Sequence, residues 1–154
     1  MHLTDFLDFG AIKPAMPAAN KRGLLNQLAS LAGNQLGIEP AAILLPITER
    51  EKLGSTGFGE GVAIPHGKID GLGQVYCLMV RLAEPLRYKA IDGKLVDLVF
   101  LLLSPPDAGA EHLKALAAIS RVVRHAPTLE KMRGARSRDA LAAVLMGADE
   151  RDAA

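Results

Sequence analysis

The residues with the clearest chemical potential lie in a glycine-rich stretch, "GSTGFGEGVAIPHGK", at positions 54–68. The stretch leads to His66, which stands between Pro65 and Gly67. Proline fixes its own φ and favours extended backbone before it, so the chain should enter His66 along a stiff segment. Gly67 has no Cβ and is predicted to leave one side of the imidazole open. A histidine can act as a covalent nucleophile, and a neutral ring with a pKa of about 6.5 suits the acceptance of a phosphoryl group.

Two further side chains have types that match this chemistry. Arg50 precedes the glycine stretch and could hold a phosphoryl group with its guanidinium fork. His112 is predicted near the start of a helix, where its ring could bond to the phosphoryl group or to His66. The alternatives are that Arg50 is a charge on a helix surface, that His112 is a solvated residue at a helix end, and that His66 is structural.

The glycine stretch also supplies candidate ligands for phosphoryl oxygens. Ser55 and Thr56 offer hydroxyl donors, and backbone N–H groups near Gly67 could line the same site. Each has a simpler interpretation, since serine and threonine also form turns. Only the joint pattern with a reactive histidine favours a binding role.

Other phosphate and metal chemistries fit poorly. A P-loop needs four residues between its glycines and a Ser or Thr after its lysine. Here Gly61 and Gly67 enclose five residues, and Ile69 follows Lys68. A metal site needs several ligands, and only Asp70 lies close in sequence. We therefore predict no metal and no cofactor.

Composition sets limits on partners and on the compartment. The formal net charge is +1 and aromatic residues make up 4%, so neither a strong charge field nor a set of stacking rings indicates a nucleic-acid partner. The sequence shows no leader pattern and no apolar run as long as a membrane span. The single cysteine, Cys77, lies in an apolar run where a buried thiol is expected. We predict a cytoplasmic protein without membrane insertion. We predict no nucleic-acid partner. One cluster of basic residues could form a nucleic-acid face, but its composition favours a solvated helix face or a docking patch for an acidic protein: Arg121, Arg124, Lys131, Arg133, Arg136 and Arg138.

The pattern of the 154 residues predicts one domain, residues 1–154, of the α/β (α+β-like) class. A helix should begin after Asn20 and end at Gly37, and Pro46 should break or restart the next helix, leaving a last piece over 46–53. Residues 74–82 and 95–104 are apolar enough to be buried strands, and 62–64 could form a short one. Helices should follow in the C-terminal third, one of them starting at Ser137.

The spaced motifs together resemble the enzyme IIA components of the bacterial phosphoenolpyruvate phosphotransferase system, of the fructose/mannitol class and its nitrogen-regulatory branch. The resemblance is carried by "REKLGSTG", "AIPHG", a "DG" turn and "VDLVFLLLSP", in that order, and by "HLKALAAIS" in the following helix. It extends over essentially the whole chain.

The resemblance implies a small mixed β-sheet flanked by helices, with His66 as phosphoryl acceptor through Nε2. Arg50 would stabilise the transferring group, and His112 would lie beside the acceptor. The donor would be an HPr-type phosphohistidine carrier. Glu60 departs from the expected uncharged residue of the glycine stretch, and because a carboxylate near a dianion is unfavourable, its side chain should point away.

These observations predict a phosphocarrier of the nitrogen-regulatory phosphotransferase system. It would form a covalent phosphohistidine, as a phosphotransferase does, without turning over a small molecule. Its phosphorylation state would control target proteins such as sensor kinases or potassium transporters. One alternative is a sugar-specific IIA that passes its phosphoryl group to a IIB domain. Another is a regulatory binding protein that keeps the fold and is not phosphorylated.

Overall fold

The computed structural model describes the backbone of residues 1–153 and the side chains of residues 1–148. The described helices are α1 (Lys21–Leu36), α2 (Pro40–Leu53), α3 (Gly109–Val123), α4 (Ala126–Gly134) and α5 (Arg138–Ala153). The strands are β1 (Lys13–Met16), β2 (Gly57–Gly59), β3 (Val62–Ala63), β4 (His66–Lys68), β5 (Tyr76–Leu86) and β6 (Val96–Ser104). Two short 3-10 helices, Leu3–Asp5 and Phe9–Ala11, precede β1.

The strands form one mixed sheet with the order β1-β5-β6-β3-β2. The long strands β5 and β6 are antiparallel, whereas β1 is parallel to β5. Strands β3 and β4 both run parallel to β6, one after the other along its edge. The prediction of a small mixed sheet flanked by helices is confirmed.

Strand β6 lies between two hydrophobic cores. Successive side chains of a strand point to opposite faces of the sheet. Accordingly Leu98, Phe100 and Leu102 pack in the core that α3, α4 and α5 cover. Their neighbours Val99 and Leu101 pack in the core under α1 and α2. Burial on both faces explains why residues 98–103 of β6 are continuously apolar rather than alternating.

The prediction that Pro46 interrupts the second helix is wrong. Helix α2 runs unbroken over Pro40–Leu53, with Pro46 inside it. An internal proline costs a helix about 3 kcal/mol. The buried side chains of Ile43 and Ile47 lie on either side of this proline. Burying each contributes roughly 1.5–3 kcal/mol, which offsets the cost of the proline.

The predicted helix ends are confirmed. The side chain of Asn20 accepts a hydrogen bond from the Gly23 amide at 2.8 Å, and Gly37 ends α1 with a φ of 69°. The side chain of Ser137 accepts a bond from the Ala140 amide at 3.1 Å. The glycine-rich stretch differs from expectation because it forms β2 and β4 as well as the predicted strand over 62–64. Strands of three residues are too short to show a periodicity.

Candidate functional site

His66 is the first residue of β4 and is fixed to the sheet by its backbone. It pairs with Leu102 of β6, and the carbonyl of Pro65 accepts a bond from the Leu102 amide at 3.0 Å. The ring is half-buried. A reactive group held by a strand has less conformational freedom than one on a loop.

Hydrogen bonds define the tautomer of His66. Its Nδ1 lies 2.8 Å from the carbonyl oxygen of Ile64. A carbonyl can only accept, so Nδ1 carries the proton. In the neutral ring the lone pair is then on Nε2, which accepts a bond from Nε of Arg50 at 3.2 Å. Nε2 is therefore the nucleophilic nitrogen of this ring.

Arg50 reaches His66 from the last turn of α2. Its Nη1 donates to the carbonyl oxygen of Gly54 at 2.8 Å, and Gly54 caps the same helix with a φ of 155°. The side chain is thus anchored to the helix end while its Nε contacts the imidazole. This contact was predicted only indirectly, through a shared phosphoryl group.

His112 lies beside His66, as the resemblance implied. The ring centroids are 5.4 Å apart and the planes are tilted by 52°. His112 belongs to the first turn of α3, and its Nδ1 is 2.6 Å from the hydroxyl oxygen of Ser104. Ser104 was not predicted as a site residue, although it is the one polar residue that ends the apolar run of β6.

The pKa of His66 is lowered below the ordinary value of 6.5. Burial is the main cause, and the guanidinium of Arg50 acts in the same direction. The bond to Ile64 and the carboxylate of Glu51 oppose the shift without reversing it. The ring is consequently neutral, and able to attack, over a wider pH range than a free histidine.

The pKa of His112 is lowered as well. Burial is again the main cause, followed by the proximity of His66 and of Lys68. Both rings of the pair are therefore mainly neutral at pH 7, which limits repulsion between a histidine charge and the guanidinium of Arg50.

Gly67 has a different role from the one its sequence position suggested. It is buried, and a Cβ built on it would lie 3.2 Å from Cγ2 of Ile47 and 3.3 Å from the carbonyl carbon of Pro46. Its missing side chain lets α2 approach the sheet, rather than exposing one side of the imidazole. The helix that carries Arg50 thereby comes close to His66.

The two predicted hydroxyl ligands form bonds within the protein. Ser55 accepts a hydrogen bond from the Gly57 amide at 3.1 Å and is half-exposed. The buried hydroxyl of Thr56 bonds to the carboxylate of Glu51 and lies 2.9 Å from the Tyr88 hydroxyl. Binding of a phosphoryl group by Ser55, Thr56 or the backbone at Gly67 stays a prediction.

The contacts of Glu51 form a network that the sequence did not reveal. Its side chain is only 6% exposed and makes an ion pair with Lys21 at 2.6 Å. It also accepts bonds from the Tyr88 hydroxyl at 2.8 Å and from Thr56. Burial and Glu51 together raise the pKa of Tyr88. The network joins Lys21 of α1 and Glu51 of α2 to Thr56 and Tyr88, and Glu51 directly follows Arg50 in the chain.

Glu60 contacts groups of the β5–β6 turn. Its carboxylate pairs with Lys94 at 2.9 Å, and its amide donates to Asp92 at 2.9 Å. These bonds direct the charge toward that turn, in keeping with the expectation that it points away from the acceptor. Its carbonyl accepts a bond from Arg133 at 2.6 Å.

Several other predicted features lie elsewhere. Cys77 is buried, as the apolar run predicted, and burial raises the pKa of its thiol. Within the basic cluster, Arg133 forms an ion pair with Asp97, and Arg138 donates to the Phe9 carbonyl at 3.4 Å. Arg121 donates to the Met1 carbonyl at 2.8 Å, so three members of the cluster use their charge or donors inside the protein.

Two absences concern the described residues only. No helix of residues 1–153 combines the length and the apolar character that a bilayer span requires. Among the side chains of residues 1–148, no group of three or more His, Cys, Asp or Glu could hold a metal ion.

Comparisons with known proteins identify the family of this chain. Residues 5–147 match the family model described as "Phosphoenolpyruvate-dependent sugar phosphotransferase system, EIIA 2". A nitrogen regulatory protein of Bradyrhizobium diazoefficiens is 43% identical over 145 residues, covering 94% of this chain and 95% of the relative. A fructose-specific EIIA component of Haloferax volcanii is 35% identical over 130 residues, covering 84% of each chain.

Solved structures extend the similarity to three dimensions. The crystal structure of the nitrogen regulatory protein IIA-Ntr from Neisseria meningitidis has a TM-score of 0.86 at 33% identity, over 92% of this chain and 97% of that one. The mannitol enzyme IIA of Escherichia coli, in its complex with phosphorylated enzyme IIB, has a TM-score of 0.77 at 19% identity, covering 92% of this chain and 99% of that one, and shows the shared fold. This chain belongs to the EIIA 2 family of the phosphoenolpyruvate-dependent sugar phosphotransferase system.

Proposed function

We propose that this protein is a phosphocarrier of a nitrogen-regulatory phosphotransferase branch, phosphorylated on Nε2 of His66 by an HPr-type phosphohistidine carrier. The observation that carries the proposal is the pair of bonds on the His66 ring. The bond to Ile64 holds the proton on Nδ1, and so leaves the Nε2 lone pair to attack. The relatives named nitrogen regulatory proteins support the branch.

The transfer step is a displacement at phosphorus. The N–P bond of the donor histidine breaks as a bond forms between Nε2 of His66 and phosphorus, and the electron pair of the broken bond stays on the donor ring. The His66 ring keeps its Nδ1 proton and gains positive charge. The Ile64 carbonyl, 2.8 Å from Nδ1, stabilises that charge.

Arg50 would stabilise the transferred phosphoryl group. The group carries about −1.5 to −2 charges near pH 7. At about 4 Å and an effective dielectric constant of about 20, its attraction to a guanidinium is on the order of 4 kcal/mol per unit charge before desolvation. Arg50 already lies at the nitrogen that would carry the group, and its guanidinium would move from the Nε2 lone pair to the phosphoryl oxygens.

A protein donor also suits the surroundings of the site. Leu53, three residues after Arg50, is 85% exposed, and Leu113, next to His112, is 66% exposed. Apolar side chains beside a reactive group favour the docking of another protein over a small polar substrate. A dianion at the centre of such a face would change which partners bind, and we propose that regulatory targets such as sensor kinases or potassium transporters respond to that change.

A second candidate is sugar transport, in which His66 passes its phosphoryl group to a IIB domain. The fructose-specific relative at 35% identity supports it. A third candidate, a binding protein that is not phosphorylated, would not need the geometry of His66, Arg50 and His112, and is therefore less well supported.

Intact mass spectrometry tests the proposal. The protein is incubated with phosphoenolpyruvate, enzyme I and either a nitrogen-branch or a sugar-branch HPr-type carrier. We expect one acid-labile phosphoryl group from the nitrogen-branch carrier, and none on His66→Ala. His125→Ala is the matched control and should be labelled like the wild type. No label from either carrier would reject the proposal, and preference for the sugar-branch carrier would favour the second candidate.

A further inference from the structure

Ser104 occupies a buried position between the sheet and the start of α3. It is the last residue of β6, is fully buried, and pairs in register with Lys68 of β4. Its hydroxyl oxygen lies 2.6 Å from Nδ1 of His112. Ser104 thus contacts the ring of His112 and takes no part in the hydrogen bonds of His66.

The burial of Ser104 decides which atom donates in this bond. A buried hydroxyl needs an acceptor for its proton. Within residues 1–148, whose side chains are described, Nδ1 of His112 is the one hydrogen-bond partner of the Ser104 hydroxyl. If Nδ1 were the donor, the hydroxyl proton would have no acceptor, which costs about 1–3 kcal/mol. The hydroxyl therefore donates, and Nδ1 of His112 accepts.

We propose that Ser104 is a positioning residue that holds His112 in the Nε2–H tautomer, opposite to the Nδ1–H tautomer of His66. Two neighbouring histidines then carry complementary groups. The ring of His66 has a lone pair on Nε2, and the ring of His112 has an N–H on Nε2. One ring can attack phosphorus while the other donates to a phosphoryl oxygen, and neither has to exchange a proton first.

The role of Ser104 in phosphoryl transfer rests on the proposed phosphorylation of His66, whereas the tautomer of His112 does not. Since Nδ1 of His112 is engaged with Ser104, a bond from His112 to the phosphoryl group has to come from Nε2. The lowered pKa of His112 agrees with a neutral ring. A neutral ring has a single N–H, so it can donate from Nε2 only in the Nε2–H tautomer.

Nitrogen NMR of the full chain tests the tautomer without any phosphoryl transfer. Long-range proton–nitrogen correlation spectra at pH 8 distinguish the protonated from the unprotonated ring nitrogen. We expect a protonated Nε2 in His112 and a protonated Nδ1 in His66. Ser104→Ala should turn the single His112 tautomer into a mixture and leave His66 unchanged. A wild-type His112 with a protonated Nδ1 would overturn the proposal.

Transfer rates test the consequence. Losing one hydrogen bond of this strength should slow phosphorylation of Ser104→Ala by roughly three- to tenfold. Ser104→Thr keeps the hydroxyl and should recover both the tautomer and most of the rate. In a His112→Ala background, Ser104→Ala should slow transfer no further, because it acts through His112. An equal effect of Ser104→Ala in both backgrounds would exclude this role.

The chain offers a matched control in a second histidine–hydroxyl pair. Thr128 is buried, and its hydroxyl lies 2.8 Å from Nδ1 of His125, beyond the other end of α3. Thr128→Ala removes a comparable bond about 20 Å along the helix direction from His112. Its transfer rate should equal that of the wild type. If no carrier phosphorylates the wild type, the proposed function fails, whereas the tautomer assignment is still decided by the spectra.

Discussion

Nε of Arg50 lies 3.2 Å from Nε2 of His66, so the guanidinium covers the lone pair that would attack phosphorus. An incoming phosphorus atom has to take the place of this N–H. The second hydrogen bond of the Arg50 side chain runs from Nη1 to the Gly54 carbonyl at 2.8 Å and does not involve the lone pair of His66. Arg50 can therefore move off Nε2 while it stays attached to the end of α2, and then contact the phosphoryl oxygens.

Replacing Arg50 should change both the rate of transfer and its pH dependence. Because the pKa of His66 is lowered, the wild-type rate should fall at a pH below the 6.5 of an ordinary histidine. Arg50→Ala removes a neighbouring positive charge and exposes the ring, so the pKa rises and the fall moves to higher pH. At pH 8 we expect a loss of roughly a hundredfold in rate.

Arg50→Lys serves as the comparison in that experiment. It keeps the charge and loses the planar fork, so its pH profile should stay near that of the wild type while the rate drops. Rates are measured by quenched-flow phosphorylation between pH 5 and 8.5. Identical pH profiles for Arg50→Ala and the wild type would show that the guanidinium does not act on His66.

Replacing Glu51 should destabilise the protein. Glu51→Gln leaves the ammonium of Lys21 without its partner in a site where the carboxylate is 6% and the lysine 26% exposed. Breaking a buried ion pair costs several kcal/mol, and the partial exposure of Lys21 reduces this to about 2–3 kcal/mol. Urea unfolding measures the loss.

The control for Glu51 is its exposed neighbour Glu49, two residues earlier in α2. Glu49→Gln should change the free energy of unfolding by less than about 0.5 kcal/mol. Equal effects of the two substitutions would mean that the buried network contributes no stability.

A methyl group at position 67 should separate α2 from the sheet. In Gly67→Ala the new Cβ would meet Ile47 and Pro46 at 3.2–3.3 Å, and overpacking of this kind costs about 1–3 kcal/mol. Because α2 carries Arg50, transfer should slow as well. Gly73→Ala, where a Cβ has no atom within 4 Å, should leave the melting temperature and the rate near wild type. An unchanged rate in Gly67→Ala would show that the approach of α2 does not position Arg50.

The charge of Glu60 should have little effect on transfer. Its carboxylate is 69% exposed and pairs with Lys94, whose side chain is 57% exposed. Such exposed pairs contribute little, and the bond directs the charge to the β5–β6 turn. Glu60→Gln should therefore be phosphorylated at the wild-type rate by the same carrier. A faster rate would mean that the carboxylate repels the phosphoryl group after all.

How much of this molecule the sequence predicts depends on the length of each element. Strands β5 and β6 and helix α1 were predictable, because each is long enough to show an apolar run or a helical spacing. Strands β2 and β4 were not, since three residues carry no period. Helix α2 was misread at Pro46 because local propensity lost to the burial of Ile43 and Ile47.

The residues of the site were likewise predictable only in part. His66, Arg50 and His112 belong to motifs that are visible in the sequence. Ser104 and Glu51 act through contacts that depend on the register of β4 against β6 and on the approach of α1 and α2. Neither residue has a local pattern that separates it from an ordinary strand end or helix charge.

The parallel pairing of β4 with β6 also bears on how the protein folds. His66 pairs with Leu102, so the chain has to close a loop of more than thirty residues before the acceptor reaches its place. The β5–β6 hairpin closes a far shorter loop and should form first, because loop closure costs more entropy as the loop grows. We expect the amide of Leu102, bonded to the Pro65 carbonyl, to gain protection from hydrogen exchange late in refolding. A chain newly made in the cell would then become able to accept a phosphoryl group only once β4 has docked on β6, which couples the start of signalling to the folding of the sheet.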